Sequence, residues 1–503
     1  MSTTPMAGPA TLVWFRDDLR MEDNKTLAWA AQRGPIIGLY VFEADTGARP
    51  LGAAAAWWQR RSVSALRDNL ADHGVELLLA AGDPKTVVPV IAGELRKTTG
   101  VDAVAWSRRY HLPLRETDAA IKTELRDAGF TVASHTGYLL TEPWTLKTRS
   151  GGAYRVFTPF ATAAQELVMA SGPESVDMPK LRGVAPRCDA KYLVRADVLS
   201  PERNSFWTAT LAEHNTPGEA SAHVHFEEFL SGLADGKPYA NDFPAADATS
   251  GLSAHLRFGE ISPAQVWAAT TQLADSHPHA ANDAWAFLRQ LLWRDFAWHR
   301  LFHHPDLHTR NVRAQFDLFP WAWSDRAAPW ETPAPFASSA LEEPGSDNGQ
   351  HLDQLAAWQK GETGIPFVDA GMRELWATGQ MHNRVRMVAG SWLTKNLGIH
   401  WRHGEEWFWD TLVDADYAAN PFNWQWVAGC GDDAAPYFRI FNPLLQQEKF
   451  DPQGLYVSQW VPEYLTPTYP TPMVDVKESR KIALAAYADV KKGADGSAVR
   501  SAP

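Results

Sequence analysis

Cysteine is almost absent from this chain, which has Cys188 and Cys430 as its two cysteines among 503 residues. So few cysteines exclude a disulfide framework and a cysteine-based zinc site. Such sparing use of cysteine is typical of proteins that work in the reducing cytoplasm. The sequence therefore predicts a cytoplasmic protein that depends neither on disulfides nor on a bound metal.

Long apolar runs are missing as well. No stretch approaches the roughly 18 consecutive apolar residues of a membrane-spanning helix, so no membrane association is expected. The amino-terminal sequence MSTTPMAGPATLVWF lacks a basic segment followed by an apolar one, and no signal peptide is predicted.

An excess of positive charge is also lacking, since 47 basic residues face 59 acidic residues and the net charge is −12. This balance argues against nucleic-acid binding over the whole surface, but it permits a local basic face. What the chain has in abundance is tryptophan, with 23 copies. Indoles supply apolar area and flat faces for stacking, and most of them are expected in the core.

Short apolar runs alternate with helical segments in the first part of the chain. Buried strands that alternate with helices predict a doubly wound, Rossmann-like α/β domain with a parallel sheet over residues 10–135. Its first strand is followed by WFRDDLRMEDN rather than G-x-G-x-x-G, so a dinucleotide on the usual glycine turn is not expected there. The apolar runs are residues 11–15, 36–42, 75–80, 101–106 and 130–133.

The pattern changes after this domain. Residues 136–200 are mixed and rich in Pro and Gly, which indicates a long connector. Helical periodicities then predict an all-helical domain over residues 201–488. The acidic segment 331–350 is expected to be a surface loop, and the tail 489–503 to be disordered. The predicted helices include 259–275, 282–303, 366–378, 381–397 and 404–413.

Four segments of the helical part carry candidate binding groups. Each has a structural explanation by itself, as a helix N-cap, an amphipathic helix or a solvated charged edge. Together they supply hydroxyls for an anion, carboxylates for ribose or ring N–H groups, indoles for a flat ligand, and Arg for phosphate. This set fits a bound dinucleotide beside a nucleic-acid docking face. The segments are 239–263, 286–300, 363–405 and 414–429.

Several motifs carry a resemblance to a known family: TGIPFVDAGMREL, MHNRVRM, WRHGEEWFWDTLVDAD, WQWVAG and DAAPYFRIFNP. They resemble the photolyase/cryptochrome family, most closely the bacterial cyclobutane pyrimidine dimer photolyases. The resemblance implies an α/β antenna domain, a connector and a helical domain that binds FAD. It also implies a deoxyribodipyrimidine photo-lyase reaction, in which excited FADH⁻ passes an electron to a pyrimidine dimer in UV-damaged DNA.

The resemblance assigns residues to the FAD site. Asn420 matches the position that faces flavin N5, where plant cryptochromes have Asp and animal cryptochromes have Cys, so Asn favours the repair branch. Asp414 matches the carboxylate that pairs with Arg386 beside the flavin ring, and Asp416 matches an acid at the side of the flavin. The other implied FAD contacts are Tyr239, Thr249, Ser250, Leu252, Ser253, Arg294 and Asn383.

A chain of tryptophans for electron transfer is implied as well, with Trp424 first and Trp401 second. The best match for its last member is Trp330, although the 331–350 insertion separates Trp330 from the motif that usually follows closely. Trp321 and Trp323 are the alternatives.

The implied lesion pocket would receive a dimer flipped out of the duplex and stack its bases on indoles. Dimer photolyases typically have Glu where this chain has Gln290, which predicts repair with reduced efficiency. Arg384 would contact a backbone phosphate. The implied pocket residues are Gln290, Trp293, Asn383, Met387 and Trp426.

Some alternatives stay open at this point. Segment 106–118 lies where some relatives contact folate, with Leu114 near the matching position, and the antenna could be methenyltetrahydrofolate, 8-hydroxy-5-deazaflavin, a second flavin or absent. A cryptochrome-like blue-light photoreceptor without repair is one alternative function. A (6-4) photolyase is another, but those proteins have His at the positions of Asn383 and Met387. A monomer is expected.

Overall fold

The computed structural model covers most of the chain, and two sequence predictions fall outside it. Trp330 is not among the described residues, and neither is the 331–350 segment up to residue 347. The described residues are 8–172, 175–200, 206–246, 248–323, 348–434 and 438–500.

A parallel sheet of five strands forms the amino-terminal part: β1 (Ala10–Phe15), β2 (Ile36–Glu43), β3 (Leu77–Gly82), β4 (Val101–Ser107) and β5 (Thr131–His135). The strand order is β3-β2-β1-β4-β5. Leu12 of the central β1 pairs with Ile37 of β2 and with Val104 of β4. Every residue of β1 is buried, as expected for a strand that is covered on both faces.

Helices cover both faces of this sheet: α1 (Lys25–Arg33), α2 (Ala53–Asp72), α3 (Pro84–Thr99) and α4 (Leu112–Asp127). Alternate side chains of β1 point to opposite faces. Phe15 packs in the core shared with α1 and α2, whereas Trp14 packs in the core shared with α3 and α4. The predicted doubly wound α/β fold is confirmed.

The connector contains α5 (Phe157–Ser171) and a 3₁₀ turn (Ala196–Leu199). The connector also forms isolated β-bridges with the sheet, between Gly183 and Ile36 of β2 and between Leu193 and Ala80 of β3.

The rest of the described chain is helical, and the predicted helix 366–378 coincides with α12 (Pro366–Thr378). The predicted helix 381–397 is divided, because α13 (Asn383–Ser391) continues into a π-helical turn (Trp392–Asn396). The helices are α6 (Phe206–His214), α7 (Glu219–Ala234), α8 (Ser253–Phe258), α9 (Pro263–Ser276), α10 (Ala281–His303), α11 (Asn348–Lys360), α12 (Pro366–Thr378), α13 (Asn383–Ser391), α14 (Trp401–Thr411), α15 (Ala419–Ala428), α16 (Pro443–Phe450), α17 (Leu455–Trp460) and α18 (Val476–Arg500).

The last helix differs from the sequence prediction. α18 continues through residue 500, across most of the segment 489–503 for which a disordered tail was expected. Within the described residues, no helix combines the length and the apolar character that crossing a membrane requires.

The sheet and the helical part meet closely. A Cβ on Gly52 would lie 2.0 Å from the carbonyl oxygen of Trp409, and a Cβ on Gly259 would lie 2.1 Å from that of Asp17. Arg257, at the end of α8, donates to the Asp17 carboxylate at 2.8 Å. The loop after β1 therefore supports α8, which forms one wall of the site described next.

Candidate active site

A cavity of about 520 Å³ opens among α8, α10, α13 and α15. This volume lies within the roughly 300–1,000 Å³ that is typical of small-molecule sites. Sixteen of the residues predicted from the sequence line the cavity. They are Tyr239, Ser250, Leu252, Ser253, Gln290, Trp293, Arg294, Asn383, Arg384, Arg386, Met387, Asp414, Asp416, Asn420, Trp424 and Trp426.

Three predicted site residues are not on this lining. Thr249 is exposed, although its neighbour Ser250 lines the cavity. Trp401 is fully buried behind the wall. Trp330 lies outside the described residues, as stated above.

Hydroxyl and guanidinium groups lie on the side of the cavity near α8. Ser253 begins α8, and the hydroxyl of Ser250 accepts a hydrogen bond from the N–H of Leu252 at 3.4 Å. Arg294 of α10 donates to the carbonyls of Tyr138 and Leu256, at 2.7 and 3.1 Å, which fixes its guanidinium at the cavity wall. This side of the cavity can therefore hold an anionic group.

Arg386 and Asp414 form an ion pair with two hydrogen bonds, of 3.1 and 2.9 Å. The Nε–H of Arg386 also donates to the carbonyl of Met381 at 2.7 Å. This paired geometry holds both side chains in one orientation at the cavity wall. The pair predicted from the resemblance is therefore present in the structure.

Asp416 is a buried carboxylate in the loop before α15. It accepts hydrogen bonds from the N–H groups of Ala418 and Ala419, at 2.7 and 2.5 Å. Burial raises the pKa of Asp416, while these hydrogen bonds and the charges of Arg257 and Arg294 oppose the rise. The carboxylate is thus held in place and can accept hydrogen bonds from a ligand.

Asn420 has its amide oriented by a residue that the sequence reasoning missed. Its Nδ2 donates to the backbone carbonyl of Glu405 at 3.0 Å and to the Glu405 carboxylate at 2.7 Å. Glu405 in turn forms a two-bond ion pair with Arg49, at 3.0 and 2.8 Å. These two bonds fix the orientation of the amide, and its oxygen, Oδ1, is the atom that can accept from a ligand N–H.

Trp424 packs tightly in the wall behind Asn420. The ring contacts of Trp424 include Phe408, at 4.9 Å between ring centroids, and Trp358, at 6.1 Å. A Cβ on Gly404 would lie 2.1 Å from Cη2 of Trp424, so the indole needs a glycine at that position.

The other candidates for the tryptophan chain gather around His400. Trp401 donates from its indole N–H to Asn311 at 2.8 Å, and its ring lies 5.5 Å from that of His400. Trp321 and Trp323 lie 5.1 and 5.3 Å from the same imidazole. Trp321 and Trp323, the alternatives for the last tryptophan of the electron-transfer chain, therefore both lie beside His400, the residue that precedes Trp401.

Arg384 differs from the expectation of a free cation for a phosphate. It forms an ion pair with Asp242 and lies over the ring of Phe450, with 4.4 Å from Cζ to the ring centroid. A phosphate at this position would have to share or displace the Asp242 carboxylate.

A second crevice lies at the carboxyl ends of β1 and β4, where ligands commonly bind in doubly wound sheets. Its volume is about 10 Å³, and Leu114, the position considered for an antenna contact, is part of its lining. Arg109 pairs with Glu43 at 2.8 Å and with Asp118 at 2.6 Å. His111 stacks on Tyr417 at 4.6 Å. A volume of about 10 Å³ leaves no room for a chromophore among these residues.

Comparisons with known proteins cover nearly the whole chain. Residues 11–180 match the family model described as DNA photolyase, and residues 287–466 match the FAD binding domain of DNA photolyase. A deoxyribodipyrimidine photo-lyase of Agrobacterium fabrum is 42% identical, covering 96% of this chain and 98% of its own length.

Two further relatives agree with this match. A deoxyribodipyrimidine photo-lyase of Escherichia coli is 34% identical, covering 96% of this chain and 99% of its own length. The crystal structure of a bacterial class III photolyase from Agrobacterium tumefaciens is similar with a TM-score of 0.83 at 41% identity, covering 97% of this chain and 99% of that one.

Proposed function

The chain belongs to the DNA photolyase family, and from this premise we propose that it repairs cyclobutane pyrimidine dimers in UV-damaged DNA with FAD and light. One observation carries the proposal: sixteen residues, expected from the sequence for the cofactor, the lesion and the tryptophan chain, line a single cavity of about 520 Å³. When bound in reduced form and excited by light, FAD supplies the electron that opens the cyclobutane ring.

The residues of the cavity fit FAD. The hydroxyls of Ser250 and Ser253, with Arg294, suit the two phosphates. Oδ1 of Asn420 suits a flavin ring nitrogen that carries a proton, because an amide oxygen accepts and the bonds from Nδ2 to Glu405 fix its orientation. Tyr239, Leu252, Asn383, Arg386, Asp414 and Asp416 complete the proposed cofactor contacts.

Asn420 acts by holding a proton on the cofactor. An amide oxygen accepts hydrogen bonds and cannot be protonated at neutral pH, so it favours the form of the flavin that has a hydrogen at the facing nitrogen. We assign Asn420 to stabilising the reduced cofactor, and Trp424 and Trp401 to passing electrons towards it. Trp330, Trp321 and Trp323 are the candidates for the last position.

The lesion would occupy the open side of the cavity. Trp293 and Trp426 offer faces for the splayed bases, and such stacking is worth about 1–3 kcal/mol per base. Gln290 and Asn383 lie at the exposed rim and can donate to thymine carbonyls, while Met387 provides an apolar contact. A dimer disturbs base stacking, so its extrusion costs less than that of intact bases. Arg384 is the proposed phosphate contact.

The test uses the reduced protein and oligothymidylate that contains dimers, illuminated with near-UV or blue light. We expect the thymine absorption band to recover in the light and to stay unchanged in the dark. Because Gln290 replaces the usual carboxyl group, the alternative is a cryptochrome-like photoreceptor. That alternative gains if lesion-containing DNA binds no tighter than intact DNA. Repair of (6-4) lesions instead of dimers would identify the protein as a (6-4) photolyase, the other alternative function.

Location and assembly belong to the same proposal. We propose that the protein is a cytoplasmic monomer, on the basis of its two cysteines and the completeness of the cavity within one chain. Light scattering at micromolar concentration tests the monomer, since a dimer would double the measured mass.

A further inference from the structure

Phe157, the first residue of α5 in the connector, lies against the lesion side of the cavity. Its ring stacks on the indole of Trp293 with 3.5 Å between ring centroids and 4° between planes. Phe157 is fully buried, whereas Trp293 is partly buried and lines the cavity. One face of the Trp293 indole is thus covered by the connector, and the indole also borders the cavity.

Arg289 adds a third layer to this stack. Its guanidinium carbon lies 4.6 Å from the centroid of the Phe157 ring, whose other face is taken by Trp293. Arg289 and Trp293 are four residues apart on α10 and therefore lie on the same side of that helix. The phenyl ring is held between two side chains of one helix, which fixes their relative positions.

The backbone at Phe157 is fixed as well. The carboxylate of Asp433, in the loop after α15, lies near this backbone, since the N–H of Phe157 opposes the rise that burial causes in the pKa of Asp433. The adjacent Asp432 accepts from the buried Arg300 at 2.7 Å and from Arg155 at 3.2 Å. The start of α5 is thereby tied to α10 and to the loop that follows Trp426.

We propose that Phe157 is a positioning residue of the lesion site: it holds the indole of Trp293 in the orientation that stacks on a flipped-out pyrimidine. The inference rests on the proposed function and extends the site into the connector. Because the indole is already immobilised, little side-chain freedom is lost on binding. Phe157 does not contact the lesion itself, so its replacement affects affinity more than the reaction of a bound dimer.

Phe157→Leu tests this inference, because it keeps an apolar side chain and removes the flat face. We expect the Kd for dimer-containing DNA to rise about three- to tenfold, the effect of having to order one side chain on binding. The Kd for undamaged DNA, the FAD content and the repair yield per photon at saturating DNA should stay unchanged.

Phe160→Leu is the matched control. Phe160 lies on the same helix and is equally buried, but its ring contacts are with Tyr154, Phe296 and His299 rather than with Trp293. This variant should lose similar stability without a selective change in lesion affinity. Equal lesion affinities in the two variants would overturn the inference.

The second test replaces an exposed residue of the stack instead of the buried Phe157. Arg289→Lys keeps the charge of an exposed side chain but loses the planar guanidinium. A smaller rise in Kd in the same direction is expected, and no rise would contradict the three-layer stack. Failure of the wild-type protein to repair dimers would refute the proposed function instead, so the two failures are distinguishable.

Discussion

The protein has two crevices with similar residues and opposite properties. Both the crevice at the edge of the sheet and the cavity in the helical part are lined by arginines, carboxylates and aromatic rings. The first has a volume of about 10 Å³ and the second about 520 Å³. The difference lies in how much open space the paired charges leave.

In the crevice of the sheet, two of the lining arginines are engaged by nearby carboxylates, and about 10 Å³ of open space remains. Arg109 joins Glu43 and Asp118, and Arg16 donates to Asp118 at 3.0 Å. In the helical cavity, Arg386 and Asp414 pair along the wall and leave the interior open. Residue types alone therefore do not identify a binding site, and the open volume between the paired charges decides.

The strongest way to break this comparison is Arg109→Leu, which removes the cation from the crevice of the sheet. Burial alone would raise the pKa of Asp118, but Arg109 and Arg16 hold it below its usual range. Without Arg109, the partly buried Glu43 loses its partner and the buried Asp118 keeps only Arg16, so we expect the free energy of unfolding to fall by about 3 kcal/mol. Denaturant unfolding measures the change, and the FAD content of folded protein should be unaffected.

Arg33→Leu is the control for this variant, because its pair with Asp102 is partly exposed. In Arg33→Leu we expect the free energy of unfolding to fall by less than about 1 kcal/mol. Similar losses in both variants would mean that the buried cluster does not stabilise the sheet domain.

Asp414→Ala tests the pairing at the wall of the helical cavity. Arg386 loses two of the three hydrogen bonds that orient it beside the cofactor and keeps the one to the Met381 carbonyl. We expect FAD to bind about 30-fold more weakly, a change of about 2 kcal/mol. Fluorescence of released flavin gives the affinity.

The FAD affinity of Asp414→Asn should lie between those of the wild type and of Asp414→Ala, since Asn keeps one acceptor oxygen. Asp475→Ala, which removes the cap of α18 far from the cavity, should leave FAD binding unchanged. If Asp414→Ala retains FAD with wild-type affinity, the pair does not help to form the cofactor site.

Acid should affect the crevice of the sheet through His111. Burial, with the charges of His308, Arg115 and Arg109, lowers the pKa of His111 from 6.5 to about 3. As the pH falls from 6.5 towards about 3, the unfolded chain binds a proton at His111 that the folded chain does not, so the folded state loses stability. One such group contributes up to about 1.4 kcal/mol per pH unit.

His111→Phe should reduce that slope between pH 6 and 5, while keeping a ring against Tyr417. Urea unfolding at several pH values measures the slope. Substitution of the exposed His73 by Phe serves as the comparison, and an equal effect of both substitutions would exclude His111 as the source.

Much of the fold could be predicted because its signals are local. Five apolar runs predicted five strands, and the boundaries of the helix at 366–378 were found from periodicity. The helix at 381–397 was predicted without its π-helical turn, since nothing in the side-chain period marks a change of hydrogen-bond register.

The parts of the site that the sequence did not reveal depend on distant contacts. Asp414 and Arg386 are 28 residues apart within recognisable motifs, and they were identified. Arg49 and Glu405 are 356 residues apart, and Phe157 lies in a connector of mixed composition. Such partners become visible when the folded chain brings the two parts together.

The smallest predicted effect concerns Gln290, at the rim of the helical cavity. Gln290→Glu introduces a carboxyl group that can donate a proton in a hydrogen bond to a thymine carbonyl. We expect the repair yield per photon to rise about two- to threefold, less than 1 kcal/mol. An unchanged yield would mean that Gln290 does not contact the dimer.

The most direct test of the account is repair by the reduced, FAD-containing protein of an oligonucleotide with one dimer, in blue light and in darkness. The account predicts intact pyrimidines in the illuminated sample alone, and loss of this activity when FAD is removed. Folded protein that contains FAD and binds the lesion, yet leaves the dimer intact after illumination, would contradict it.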